Sequence, residues 1–251
     1  MIDPAAEAFG DVATDYERAR PSYPPAAIEL LRRELGIGPG ARVCDLAAGT
    51  GKLTRLLLGT GAAVVAVEPV AGMRHELRRA VPAVEVLDGN AEAIPLPDAS
   101  VDAVTVAQAF HWFRFDEALA EIRRVLRPAG RRGGGLAILF NERDERTPWV
   151  AEWNRAIRWH QRRIAYYQRT DWSGVLERAG FADVGVEHIE WEQPMTRDLL
   201  ALRVRSVSYV AEAPPDEQQA YVDRALALVS DFDEPFALPY ITHLWWTRAP
   251  S

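Results

Sequence analysis

Cysteine is nearly absent from this sequence. Its 251 residues include one, Cys44, so neither an intramolecular disulfide framework nor a cysteine-based zinc site can be assembled. A basic excess is missing too. Against 36 acidic residues stand 29 lysines and arginines, a net charge of -7, and neutralising nucleic-acid phosphates calls for the opposite balance. No run approaches the roughly 18 apolar residues that cross a bilayer. The N-terminus carries Asp3, Glu7, Asp11 and Asp15 where a secretory signal would be basic and then apolar. No internal repeat or low-complexity run appears. These absences lead us to expect a soluble, cytoplasmic protein with no membrane partner, no nucleic-acid partner and no metal, and they leave monomer and homodimer equally open.

What is present is ordinary globular material. An apolar fraction of 48% and a charged fraction of 26% can bury a real core, and we read residues 1–251 as one elaborated α/β domain. Strand and helix patterns alternate from Arg42 onward, which favours a parallel sheet covered on both faces. Strands are expected over Arg42–Leu46, Ala63–Val67, Val84–Leu87, Val101–Ala107 and Gly135–Phe140, with helices over Leu53–Leu58, Gly72–Ala80 and Phe115–Leu126. Further on, helices are expected over Thr147–Gln168, Asp171–Ala179, Thr196–Val210 and Pro215–Ser230, with strands over Ala182–Trp191 and Phe236–Thr247. The helices of 147–168 and 196–230 exceed what a five-strand unit needs, so we place them as a cap over the strand ends. Of eight tryptophans, seven lie beyond residue 140 and should mostly pack that half of the chain.

The most informative stretch is Val43-Cys44-Asp45-Leu46-Ala47-Ala48-Gly49-Thr50-Gly51-Lys52, followed by an apolar run closing on Glu68-Pro69. A strand running into small residues lets backbone N–H groups approach a ligand at a helix N-terminus, and a carboxylate ending the next strand suits a ribose diol. A dinucleotide fingerprint would need glycine or alanine where Thr54 stands. A phosphate loop would need glycine in place of Leu46 and a hydroxyl residue in place of Leu53. The remaining pattern, Asp45-x-Ala47-x-Gly49-x-Gly51, resembles the class I S-adenosylmethionine-dependent methyltransferases, with the first glycine of their turn replaced.

That resemblance implies a Rossmann-like α/β fold: a seven-stranded, mostly parallel sheet of order 3-2-1-4-5-7-6 with the last strand antiparallel, helices on both faces and a helical cap. It implies S-adenosylmethionine as cofactor and S-adenosylhomocysteine as product. Ala47, Gly49, Thr50 and Gly51 would hold the methionine end, and Glu68 with Pro69 the ribose, while Met73 would pack near the adenine. The segment Asp88-Gly89-Asn90-Ala91-Glu92-Ala93-Ile94-Pro95 is similar to the family's adenine-binding loop, which gives Asn90 and Ala91 that role; an amide oxygen at Asn90 can accept the amino hydrogens that an Asp takes elsewhere.

Ala107-Gln108-Ala109-Phe110-His111-Trp112-Phe113 ends the fourth strand, where ligands of open α/β sheets lie. The heptad is similar to one carried by a small-molecule subgroup that includes trans-aconitate methyltransferase, and the chain also resembles methyltransferases of the ubiquinone and menaquinone type. Gln108 and Ala109 would follow the methionine portion, Trp112 the acceptor, and His111 would be the catalytic residue to test first. Phe9, Tyr16, Arg20-Pro21 and Tyr23-Pro24 resemble the subgroup's N-terminal segment, residues 1–35 here, which covers the cofactor. Tyr16 and Arg20 would face the cofactor carboxylate and Tyr23 the acceptor. Asn141 and Arg143, just past the fifth strand, complete the acceptor side. A cofactor-binding protein without catalysis and a nicotinamide oxidoreductase are the competing readings.

Overall fold

A computed structural model describes residues 20–128, 134–159 and 170–248. In chain order the elements are α1 (Pro25–Leu35), β1 (Arg42–Leu46), α2 (Lys52–Leu58), β2 (Ala63–Glu68), α3 (Ala71–Ala80), β3 (Glu85–Asp88), β4 (Ala103–Ala107), a single 3₁₀ turn (Phe110–Trp112) and α4 (Phe115–Val125). Then come β5 (Gly135–Arg143), α5 (Pro148–Ala156), α6 (Trp172–Arg178), β6 (Ala182–Met195), α7 (Arg197–Arg205), α8 (Ser208–Ala211), α9 (Pro215–Ala227) and β7 (Phe236–Arg248).

The sheet has seven strands in the order β3-β2-β1-β4-β5-β7-β6. Strands β1 to β5 pair parallel, and β7 runs antiparallel to both neighbours, as the resemblance implied. Each inner strand feeds two cores with a period of two. Cys44, Leu46, Val104, Val106, Leu136, Ile138 and Phe140 pack with α4 and α6 on one face. Val43, Ala103, Ala137 and Leu139 pack with α1 and α2 on the other. Because both faces are covered, the strands read as almost continuous apolar runs. Burial also pushes the Cys44 thiol up, which leaves it a packing residue.

A further core joins α5, α7 and α9 to the near ends of β6 and β7, through Val150, Trp153, Leu200, Val204, Tyr221, Val222, Met195 and Leu238. Strand β6 therefore runs past Trp191 to Met195, where Glu192 to Met195 pair with Pro239 to Phe236 and carry these helices.

Other boundaries also move. The helix expected to continue to Gln168 stops at Ala156, and Arg158 adopts φ 54, which a right-handed helix cannot carry on through; residues 160–169 lie outside the described chain. The helix expected over Thr196–Val210 is two, interrupted at Ser206 and Val207. Val101 makes only an isolated bridge with Leu126, and β4 begins at Ala103. Helix α1, with proline in its first turn and Gly36 at φ 65 closing it, was not marked by the pattern reading.

Candidate functional site

The C-terminal ends of the parallel strands open into a cavity of about 500 Å³. Its lining joins residues from the turn after β1, the end of β2, the loop after β3, the turn after β4, the end of β5, β7, the helix α7 and Trp159 beyond α5. Every residue assigned a site role from sequence lies on it except Gly51 and Tyr16, the latter outside the described residues along with Phe9.

The turn after β1 takes its shape from left-handed backbone. Ala47 has φ 55, Gly49 φ 58 and Gly51 φ 87. A Cβ on Gly49 would meet nothing within 4 Å, so the space above this residue is open toward the cavity. Gly51 instead caps α2, and a Cβ there would sit 3.2 Å from both Leu77 of α3 and Val81 just past its end. Its lack of a side chain serves helix packing, away from the cavity wall. Ala48 donates its N–H to the Val67 carbonyl at 3.2 Å, which stitches the turn to β2.

Two buried carboxylates lie beside this turn. Glu68, 4% exposed, accepts the Gly49 N–H at 2.9 Å through Oε2 and the Val70 N–H at 2.9 Å through Oε1. Each oxygen keeps a second lone pair. Burial raises the Glu68 pKa, with the two backbone N–H groups and Arg74 working against it. Asp45, 1% exposed, accepts the Thr54 hydroxyl at 2.6 Å and the Thr105 hydroxyl at 3.1 Å. Burial pushes its carboxyl up to about 6. Thr54 thus fills the place where a dinucleotide site wants a small residue, and uses its hydroxyl to hold the turn's acid.

Asn90 accepts the Glu92 N–H at 3.1 Å through Oδ1, a local turn that presents the rest of its amide to the cavity beside buried Ala91. Met73, 5% exposed, and Pro69 complete this wall.

At the end of β4, Gln108 has φ 59 and donates from Nε2 to the Asn141 carbonyl at 3.0 Å. His111 lies in the 3₁₀ turn against Trp112, with ring centroids 4.8 Å apart, and near Phe140 at 5.7 Å. Burial among these rings pulls its imidazole down to about 4, so it is neutral near pH 7.

Asn141 and Arg143 belong to β5 itself, not to a loop after it. The Asn141 amide donates to the Ser22 carbonyl at 2.7 Å and accepts the Thr242 hydroxyl at 2.6 Å. Thr242 in turn accepts the Trp191 indole N–H at 2.9 Å. Asn141 therefore fixes the segment that carries Tyr23, which is buried with α1 and also lines the cavity. The Arg143 guanidinium lies 4.4 Å from the Trp153 ring and 4.6 Å from that of Trp159, and its Nε donates to Asn154 Oδ1 at 2.7 Å. Arg20 donates to the Ser206 carbonyl at 2.7 Å, tying the N-terminal segment to the helices around α7.

Sequence reasoning passed over Arg203, Val207 and Tyr240, which close the far end of the cavity. A signal for Arg203 existed: Leu200, Arg203, Val204 and Val207 are all buried at the helical spacing i, i+3, i+4, i+7, so an arginine occupies a core position.

Comparison with known proteins bears on the whole arrangement. A sequence profile of the methyltransferase domain matches residues 44–132. An uncharacterized methyltransferase of Mycobacterium tuberculosis strain H37Rv is 40% identical over 245 residues, covering 93% of this chain and 92% of the relative. The malonyl-[acyl-carrier protein] O-methyltransferase of Methylococcus capsulatus is 39% identical over 131 residues, 49% of this chain and 47% of that protein. Among solved structures, a methyltransferase from an antibiotic biosynthesis pathway of Anabaena variabilis superposes with a TM-score of 0.64 at 21% identity, covering 92% of this chain and 98% of that one. A phosphoethanolamine N-methyltransferase of Haemonchus contortus, solved with S-adenosylhomocysteine, superposes with a TM-score of 0.60 at 14% identity, covering 100% of this chain and 61% of that one. Sheet order, strand-end cavity and a relative matched along nearly its full length agree: the chain belongs to the class I S-adenosylmethionine-dependent methyltransferases.

Proposed function

We propose that this enzyme methylates a small-molecule acceptor, at a carboxylate or hydroxyl oxygen, within the strand-end cavity. The observation that carries the reading is that one cavity joins a nucleoside-type wall to an arginine- and aromatic-lined wall. The first wall fits S-adenosylmethionine: open space stands over Gly49, and each Glu68 oxygen has a lone pair left for a ribose hydroxyl. Bound there, the cofactor supplies a sulfonium methyl for in-line displacement by the acceptor.

The chain's own residues divide the remaining work. Ala47, Gly49 and Thr50 hold the methionine end, with Gly51 setting the turn from behind. Glu68 and Pro69 hold the ribose, and Met73, Asn90 and Ala91 the adenine. Gln108 and Ala109 line the path between the two walls. Arg20 is assigned to the cofactor carboxylate; Tyr16, assigned with it, lies outside the described residues. Trp112, Tyr23, Asn141 and Arg143 shape the acceptor side. Neighbouring strands lie about 4.8 Å apart, so β5 and β7 stand one and two strand widths beyond β4, where the acceptor has room.

His111 is the residue we assign to catalysis, but a base titrating at about 4 is a weak proton acceptor for an alcohol or phenol. Its neutral ring suits orientation of an oxygen that arrives already ionised. Positioning of this kind can provide much of the acceleration, with effective molarities of up to about 10⁵–10⁸ M in well-oriented systems. Within the family, the A-Q-A-F-H-W-F heptad supports the subgroup that resembles trans-aconitate methyltransferase, acting in the cytoplasm without a nucleic-acid or membrane partner. No helix among the described residues is long and apolar enough to cross a membrane.

Calorimetric titration with S-adenosylhomocysteine and with NAD tests the cofactor, and methyl transfer from a labelled donor to a panel of small acids and phenols tests the acceptor. Binding of S-adenosylhomocysteine without NAD, and turnover on a panel member, are expected. NAD binding in its place would end the proposal.

A further inference from the structure

Arg203 stands out among the cavity's charged groups. It is 4% exposed, sits on α7 at the end of the cavity formed by β7, and lines the space directly. Its Nε reaches the Tyr240 hydroxyl at 3.4 Å and its Nη1 the Ser206 hydroxyl at 3.4 Å. Both partners are neutral and both contacts are at the outer limit of hydrogen bonding. Among the described residues no carboxylate forms an ion pair with Arg203, and Nη2 has no protein partner. Most of the side chain is buried, where charges are paired as a rule, so the Nη2 edge left to the cavity is a place for an anion.

We propose that Arg203 binds a carboxylate of the methyl acceptor. This rests on the reading of the cavity as a methyltransferase site and adds the class of molecule that enters it: a small organic acid with one carboxylate for Arg203, an apolar body, and a separate accepting oxygen that arrives ionised.

The carboxylate assignment follows from what remains of the fork. With Nε and Nη1 turned to Tyr240 and Ser206, the open Nη2 edge suits a small planar monoanion, which can also draw in the two weakly held N–H groups. The apolar body follows from Val207, Tyr240, Trp159 and Trp112, which line the same cavity, with the polar residues Asn141, Glu142 and Arg143 of β5 beside them. The anchored carboxylate is a handle and not the accepting atom. Tyr240, which Arg203 touches, lies on β7, two strand widths or about 10 Å from the end of β4. An oxygen whose lone pairs are engaged by a guanidinium is also a poor nucleophile. The accepting oxygen therefore sits at the other end of the molecule, near His111.

The test uses the full chain saturated with S-adenosylhomocysteine. Aliphatic and aryl monocarboxylic acids of about three to ten carbons are titrated calorimetrically beside their amides, which keep the shape and lose the charge. At least one acid should bind the wild type tenfold or more tighter than its amide. That preference should vanish in Arg203→Gln and return in part in Arg203→Lys, with affinity for S-adenosylhomocysteine equal in all three proteins. Equal binding of acid and amide by the wild type, or no binding of any acid, overturns the proposal without any variant. So does a preference that survives in Arg203→Gln, or Arg203-dependent binding of alkyl phosphates but not of acids. Loss of S-adenosylhomocysteine binding in the wild type would instead remove the underlying reading of the cavity.

Discussion

The side-chain amide of Asn141 and the backbone carbonyl of Ser22, 119 positions apart in sequence, meet at 2.7 Å. One strand end thereby holds the N-terminal segment against the mouth of the cavity, while Thr242 holds the same amide from the other side at 2.6 Å. Asn141 is the post that ties β5 to the N-terminal segment and to β7.

Asn141→Leu keeps the volume and removes both bonds. Two lost hydrogen bonds in a buried setting should cost about 1–3 kcal/mol. Urea unfolding of the variant checks the value, and limited proteolysis should show faster cleavage before Pro25. A variant as stable and as protected as the parent would show the link to be incidental.

Glu68 should matter to the cofactor in two ways, since its oxygens organise Gly49 and Val70 and keep lone pairs toward the cavity. Glu68→Gln is expected to weaken S-adenosylhomocysteine binding by about 1.5–3 kcal/mol, roughly 10- to 150-fold, as for hydrogen bonds to charged groups. Calorimetry at pH 7.5 measures it directly. An unchanged dissociation constant would take the ribose role away from this residue.

Asp45 and His111 should oppose one another in the pH dependence of stability. The folded state holds the Asp45 proton up to about 6, against an ordinary value near 4, so it binds more protons than the unfolded chain between those limits and stability falls as pH rises. The folded state releases the His111 proton at about 4, against an ordinary value near 6.5, so the unfolded chain binds more protons in that window and stability rises with pH. Each contribution is on the order of 3 kcal/mol at most. Measured against the parent between pH 4.5 and 7, urea-unfolding stability should slope upward with pH in Asp45→Asn and downward in His111→Asn. Parallel slopes in the two variants would refute the opposition.

For catalysis, His111→Asn should lower kcat by less than about 100-fold, below the usual range for loss of a general base. The kcat profile of the parent should lack an inflection between pH 6 and 8. A loss of about 10³ or more, with an inflection near 7 that the variant abolishes, would make His111 a true base.

Much of this molecule is legible from the chain itself. The order of elements follows from apolar runs alternating with helical spacing, because a sheet covered on both faces leaves its strands no polar side. The turn after β1 and the acid ending β2 were readable because small residues, left-handed turns and a strand-end acid are local features. The β5 side of the cavity was harder. Asn141 and Arg143 were found, yet their bonds to Ser22 and Asn154 depend on long-range packing that no window of sequence contains. Thr54 was read only as an obstacle to a dinucleotide, because its bond to Asp45 needs the turn folded. Arg203 was passed over, although the sequence holds it as a charge in an apolar stripe, and only the assembled cavity shows where that charge lies.

The reversal of β7 has a practical consequence. Tyr240, near its start, pairs with Arg143 at the ligand edge, whereas Arg248 pairs with Gly135 at the opposite edge. Eight residues of extended chain separate these points, about 26 Å at 3.3 Å each. An affinity tag or a surface tether attached beyond Arg248 would therefore leave from the underside of the protein, so immobilised enzyme should keep its opening turned to the bulk solution.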